Sequence, residues 1–291
     1  MNEKYAPLVF VGPVILLLMA FNIFPLIWSL GLSFYQYSIM RARLLRFVGL
    51  ENYVRLLSDP EVWIRFQITG KFIVLAVGLE FLIGFAMALL LRGDFKGKRI
   101  VVTLLLMPMM IAPVATALFF RYLFDRNWGI INYFASKLFG VQVYWLGADP
   151  SPLLGIEYAL LSLVIVDVWM WSPFMMLIIL AGLSAIPKEV YEVAELDRIS
   201  FLNKLRYVII PYIKPVLLIA LVLRTMDAFK TFDTVYVLTA GGPGITTELI
   251  SVYIYKLAFL WWDMGGASAL SYIVLAVIVF LTNVYMRYLS R

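Results

Sequence analysis

A chain of 291 residues with 63% hydrophobic and only 14% charged residues lies far from soluble domains, which run near half apolar and a quarter charged. It contains neither cysteine nor histidine, which excludes a thiol nucleophile, a Ser-His-Asp triad, a zinc cluster and a disulfide. A net charge of +6 beside long apolar blocks points to lipid headgroups rather than to nucleic acid.

In chain order, the blocks predict an all-α membrane protein of about six transmembrane helices forming one membrane domain over 1–291. The first span is 8–32; at about 1.5 Å per residue it crosses about 30 Å of hydrocarbon and exceeds a signal-peptide core. The connection 33–66 follows, with Arg41, Arg43, Arg46, Arg55 and Arg65. Span two, 67–91, carries Glu80, and the short loop 92–99 holds Arg92, Lys96, Lys98 and Arg99. Span three is 100–124, with Arg121 near its end and placed to snorkel. Span four, 157–183, carries Asp167. Isolated carboxylates in apolar spans can relay coupling ions, but a basic or amide group of a neighbouring span more often satisfies them, and that is the expectation for both. Trp169, Trp171 and Phe174 in span four offer surface for stacking a sugar, or ordinary packing.

The next segment, 184–208, predicts two short amphipathic helices. Pro187 suits a first helical position and Glu189 and Glu192 a helix N-terminus. Val190, Val193 and Ala194 form a narrow apolar stripe. Ser200 is placed to cap a second helix with Phe201, Leu202, Leu205 and Val208 inward and Asn203, Lys204 and Arg206 outward. By pattern, the stripe can dock a partner, pack on the chain's own spans or lie in the lipid interface. Span five, 209–235, contains Arg224, Asp227, Lys230 and Asp233 at three-residue intervals. They can line a polar pathway, with Asp227 and Lys230 foremost, or pair as a structural network. Gly241, Gly242, Pro243 and Gly244 follow in a loop, and span six is 267–289. Neither this glycine run nor Gly93–Arg99 has the strand and Gly-Lys-Ser/Thr context of a phosphate-binding loop. Short basic loops mark the cytoplasm, so 92–99 and 184–208 are expected there, with both termini on the same side.

The segment Pro187–Arg198, followed by Tyr207–Pro215, resembles the EAA loop of binding-protein-dependent ABC importers. Glu192, Ala194 and Asp197 match Glu-Ala-Ala-x-x-Asp-Gly and Pro211 its closing Leu-Pro, while Val193 replaces the first Ala and Arg198 the Gly. Phe47–Tyr53, Trp169–Ile186 and Phe232–Gly244 with Thr247 and Glu248 are similar to the first permease of the carbohydrate-uptake branch, of maltose or glycerol-phosphate type. The resemblance implies a bacterial or archaeal inner-membrane half-transporter, itself no enzyme and binding no cofactor or metal. It would move a sugar or related polyol inward with a second permease subunit and an extracytoplasmic solute-binding protein. Two ATP-binding subunits, carrying ATP and Mg, would dock on Glu189, Val190, Tyr191, Glu192, Val193, Ala194, Asp197 and Arg198. Asp227, Lys230, Asp233, Trp171 and Asp167 would be pathway candidates, and Gly241–Gly244 would face the binding protein. The alternative is a secondary transporter driven by an ion gradient, with Glu80, Asp167 and the span-five charges as relay groups.

Overall fold

The computed structural model describes residues 6–37, 45–152 and 155–289; Arg41 and Arg43 of the basic connection lie outside them. Where the sequence predicts one domain, the chain divides into two compact units, Met1–Trp63 with Tyr253–Val277, and Ile64–Val252 with Ile278–Arg291.

In the first unit, α1 (Ala6–Leu18) continues through a π-helical turn, Met19–Ile23, into α2 (Phe24–Ser33). Phe10, Leu16, Phe21 and Ile27 are all open on this rod, as suits a helix covered by lipid or another subunit rather than by its own chain. A short antiparallel pair, β1 (Tyr35–Gln36) and β2 (Arg46–Phe47), joins it to α3 (Glu51–Ser58). Asn52, nearly buried, holds this corner: its amide donates to Ser33 O at 2.9 Å and Tyr35 O at 3.0 Å. Arg55 pairs with Asp263 at 2.6 Å.

The second unit is built on long apolar helices. Here α4 (Pro60–Leu90) starts seven residues before the expected span. The third expected span, 100–124, is two helices, α5 (Lys98–Met110) and α6 (Pro113–Leu123), bent by 91°. The cause is local: Pro113 opens α6 and forces Ala112 out of the helical region (φ −58°, ψ 136°), so α5 cannot run on. Next come α7 (Ile130–Phe139), α8 (Tyr158–Ser184), α9 (Lys188–Leu196) and α10 (Phe201–Lys204). A π-helical turn, Leu205–Ile209, fuses α10 to α11 (Ile210–Ala228), so Phe201–Ala228 is one helical run of 28 residues. The expected span 209–235 therefore starts earlier and stops earlier. Its last residues belong to α12 (Asp233–Leu238), which Asp233 opens where negative charge is favoured. Then follow α13 (Ile250–Tyr255), the π-helical turn Lys256–Leu260 and α14 (Met264–Leu289), of which 253–277 belong to the first unit. Among the described residues, five helices are long and apolar enough to cross a membrane, six if α5–α6 counts as one bent span.

Ala88, Leu91, Met176, Ile179, Leu183, Ile209, Ile213 and Leu217 form a shared core of α4, α8 and the Phe201–Ala228 run. Gly84 sets the α4–α8 approach: a Cβ there would come within 2.5 Å of Met175 Cβ and 2.8 Å of Met176 N. Small residues buy such backbone proximity between membrane helices. Gly84→Ala is expected to push α4 off α8 and cost about 1–3 kcal/mol, read as a lower thermal midpoint of the purified protein; an unchanged midpoint would show that the helices can separate without cost.

Candidate functional site

Three features of the second unit carry the predicted site residues. The first is the α9–α10 segment. Val190 and Tyr191 are half-buried and Ala194 buried, and Val190, Tyr191 and Leu205 pack on the shared core. Tyr191 is clamped by two cations, the Arg92 guanidinium 4.7 Å and the Lys204 ammonium 5.5 Å from its ring centre. Glu189, Glu192, Val193, Asp197 and Arg198 are exposed. The expected stripe is thus corrected: Val193 points outward while Tyr191 takes its place inside. The second expected helix holds at Leu205 and Val208, half-buried, and at Asn203 and Arg206, exposed, but its first turn is corrected as well. Phe201 and Leu202 are open and Lys204 is buried, because α10 is the first turn of the Phe201–Ala228 run and takes its rotation from that run, with the Lys204 ammonium over the Tyr191 ring. Leu196, 82% exposed, and Leu202, 72% exposed, continue the same open apolar patch.

Between α9 and α10, Arg198 has φ +47°. Ile199 N–H donates to Ala194 O at 3.3 Å, the long-range bond of a Schellman helix ending whose C′ residue is left-handed. The departure from the EAA pattern therefore keeps the glycine geometry with a residue that carries a Cβ. Arg198→Gly is expected to raise stability by about 1 kcal/mol, since strain of about 1–2 kcal/mol exceeds the extra backbone entropy of glycine. A rise in thermal midpoint checks it; a fall would mean that the Arg198 side chain itself holds the turn.

The second feature is a buried ionic cluster. Arg224 on α11 donates Nε to Glu80 Oε2 at 2.7 Å and Nη2 to Glu80 Oε1 at 3.0 Å, and Nη2 also pairs with Asp167 Oδ2. Its Nη1 reaches Asp227 Oδ2 at 3.4 Å, and its guanidinium lies over the Trp171 ring at 5.2 Å. Arg224, Glu80 and Asp167 are at most 1% exposed, whereas the Asp227 side chain is half open. One arginine thus ties α4, α8 and α11 together, and the spacing of the span-five charges pointed only to its weakest pair. Asp167 Oδ1 is buried and finds no hydrogen-bond partner among the described residues.

Beside the cluster is a cavity of about 150 Å³ lined by Pro113, Asp167, Trp171, Asp227, Lys230, Thr231, Phe232, Asp233 and Thr234. All five pathway candidates meet in it. Trp169, offered with Trp171 as stacking surface, faces elsewhere: it lines an apolar cavity of about 550 Å³ with Leu79, Ile83 and Pro108. Arg121 is anchored on α12, donating to Val237 O at 3.2 Å.

The third feature is the loop 239–249. Gly241 and Gly244 have positive φ and Gly242–Pro243 is cis. Thr247 Oγ1 bridges Thr239 Oγ1 at 2.7 Å and Gly242 O at 2.8 Å. Glu248 pairs with Arg65 of α4 at 2.7 Å, both nearly buried, and Ile250 N–H donates to Thr69 Oγ1 at 2.9 Å. The glycines are thus carried on a loop pinned to α4. Sequence reasoning counted Arg65 only as a loop charge, and no local spacing links it to Glu248 across 183 positions.

Residues 80–291 match the family described as the binding-protein-dependent transport system inner membrane component. The chain is 37% identical over 244 residues to the trehalose/maltose transport system permease protein MalF of Thermococcus litoralis, covering 83% of this chain and 79% of that protein. It is 31% identical over 287 residues to the trehalose transport system permease protein SugA of Mycobacterium tuberculosis, covering 99% and 89%. A chain of a bacterial ABC transporter involved in the import of the acidic polysaccharide alginate shares the fold, with TM-score 0.81 at 21% identity, covering 97% of this chain and 94% of that one.

Proposed function

The chain belongs to the family of binding-protein-dependent transport system inner membrane components, and from that premise we propose that it forms one half of the solute path of an importer for a sugar or related polyol. The observation that carries the solute reading is the cavity at the α8–α11 cluster. Three aspartates accept hydrogen bonds from hydroxyl groups, Lys230 donates, and Trp171 offers an aromatic wall. The relatives named for trehalose and maltose support the same solute class.

On this reading a second permease subunit covers the open apolar helices, and an extracytoplasmic solute-binding protein meets the loop carrying Gly241, Gly242, Pro243 and Gly244. Two ATP-binding subunits, which hold ATP and Mg, seat on the open patch of Val193, Leu196, Phe201 and Leu202 with Glu189, Glu192, Asp197 and Arg198 around it. Val190, Tyr191 and Ala194 serve the docking surface from beneath, by fixing α9 to the core. Contact between Arg92 and Tyr191 supports the basic 92–99 loop and α9 sharing one membrane face, and short basic loops support that face, and both termini, being cytoplasmic. An ion-relay role finds no support in Glu80, whose two oxygens are both engaged by Arg224.

The test is uptake of labelled trehalose or maltose by proteoliposomes containing the whole transporter. Uptake is expected to require enclosed ATP and to survive an uncoupler. Asp227→Asn is expected to lower it about tenfold with assembly unchanged, the worth of one charged hydrogen bond to the solute. Uptake by this chain alone, abolished by the uncoupler, would overturn the proposal.

A further inference from the structure

Helix α7 is amphipathic the wrong way round for water. Its inward face carries Ile131, Asn132 and Ala135. Its open face carries Ile130, Tyr133, Phe134, Lys137 and Leu138 at spacings of three and four residues. The inward face is fixed by Asn132, nearly buried, which accepts from Val143 N at 3.2 Å and Trp145 Nε1 at 3.1 Å and donates to Val143 O at 2.9 Å. The helix therefore cannot roll over to hide its apolar side, and Trp128 just before it is 91% exposed.

What covers this face is indicated by its neighbours. Leu118, Phe119 and Tyr122 of α6 are open as well, and Trp128 follows Tyr122 by six residues, so open apolar side chains recur from the bent α5–α6 segment through to α7. Trp128, Tyr133 and Tyr144 are of the residue types enriched at the headgroup level. Between Arg126 and Ala148 there is no acidic residue. Asp125, the nearest acid, turns its carboxylate to the N–H groups of Trp128 and Asn127 at 2.9 Å each, which hold it below its ordinary range. Arg126 and Lys137 line one groove of about 760 Å³ together with the polar Asn127, Asn132, Ser136 and Gln142 and the apolar-bodied Trp128, Ile130 and Tyr133. Lys137 stands at the Tyr133 hydroxyl, 3.4 Å away, the posture of a cation held at an interface.

We propose that α7 lies in the membrane interface, on the face opposite α9, and that the Arg126–Lys137 groove binds the phosphate headgroup of an anionic phospholipid. Its acyl chains then cover Ile130, Phe134 and Leu138. Such a site would anchor the end of the bent α5–α6 span against the bilayer surface.

The full chain, reconstituted in vesicles of phosphatidylcholine alone or mixed equally with phosphatidylglycerol, tests this. The Trp128 signal is isolated as the fluorescence difference between the native chain and Trp128→Phe. It is expected to be quenched by bromine placed near the headgroup end of the acyl chains more than by bromine near the methyl end, and hardly by aqueous iodide. Phosphatidylglycerol retained by the purified protein is expected to bind about fivefold more weakly for each charge removed in Arg126→Gln and Lys137→Gln at low salt. Both residues are exposed, so the fold survives the change. Trp128 open to iodide and blind to brominated lipid would overturn the proposal. So would phosphatidylglycerol binding unchanged in the double variant, or shielding of Trp128 that appears only when the partner proteins are added.

Discussion

Arg224→Met is expected to cost the fold about 3–5 kcal/mol, because it leaves Glu80 and Asp167 buried without their counter-charge. The protein would be depleted from the membrane, and what remains would unfold at a much lower temperature. The loss belongs to stranded carboxylates rather than to a missing contact, so removing all three charges together, Arg224→Met with Glu80→Gln and Asp167→Asn, is expected to recover most of it. Asp227→Asn is expected to cost at most about 1 kcal/mol in the same assay, since its side chain is half open and its pair with Arg224 is screened. If the triple variant were no more stable than Arg224→Met, the cluster would be held by geometry unrelated to charge.

The second large effect is expected at Arg65→Met. Glu248, nearly buried, would then lose the guanidinium it pairs with, at a cost again of about 3–5 kcal/mol. Here the damage is local as well as global. The loop 239–249 loses its ionic tie to α4 and keeps the Ile250 N–H bond to Thr69, so a protease acting from that side should cut between Thr239 and Glu248 faster than anywhere else. Glu248→Gln in the Arg65→Met background is expected to restore thermal stability in part, because a neutral amide is far cheaper to bury than a carboxylate. Equal proteolysis of the native chain and Arg65→Met would show that the loop is held by its threonine bonds and by Ile250 on Thr69 without the ion pair.

Much of this architecture could be read from the chain. The apolar blocks announced the spans because length and composition alone decide whether a helix crosses hydrocarbon. Pro187 marked the start of α9, and the replacement at Arg198 raised the question that φ +47° answers. The failures share one physical cause, which is that local spacing does not report rotation or distant partners. Phe201 and Leu202 were assigned inward as if α10 were an independent helix, but its continuity with α11 sets the rotation and turns Lys204 in instead. The stretch 100–124 reads as one span by its hydropathy although it contains Pro108 and Pro113, and only the backbone direction reveals a bend of 91°. Arg224 looked like a partner of Asp227 at three residues' distance, while its strongest partners are 144 and 57 positions away. The five pathway candidates came from charge and aromaticity, and a shared cavity is what joins them.

The central claim is that ATP-driven motion enters this subunit through the open patch between α9 and α10. The chain has no cysteine of its own, so Leu196→Cys gives a single reactive thiol at an exposed position. In membranes holding the complete transporter, a short thiol-to-amine cross-linker is expected to join that thiol to an ATP-binding subunit, and joining them is expected to stop solute uptake. Full uptake with no such adduct at Leu196 would contradict the account.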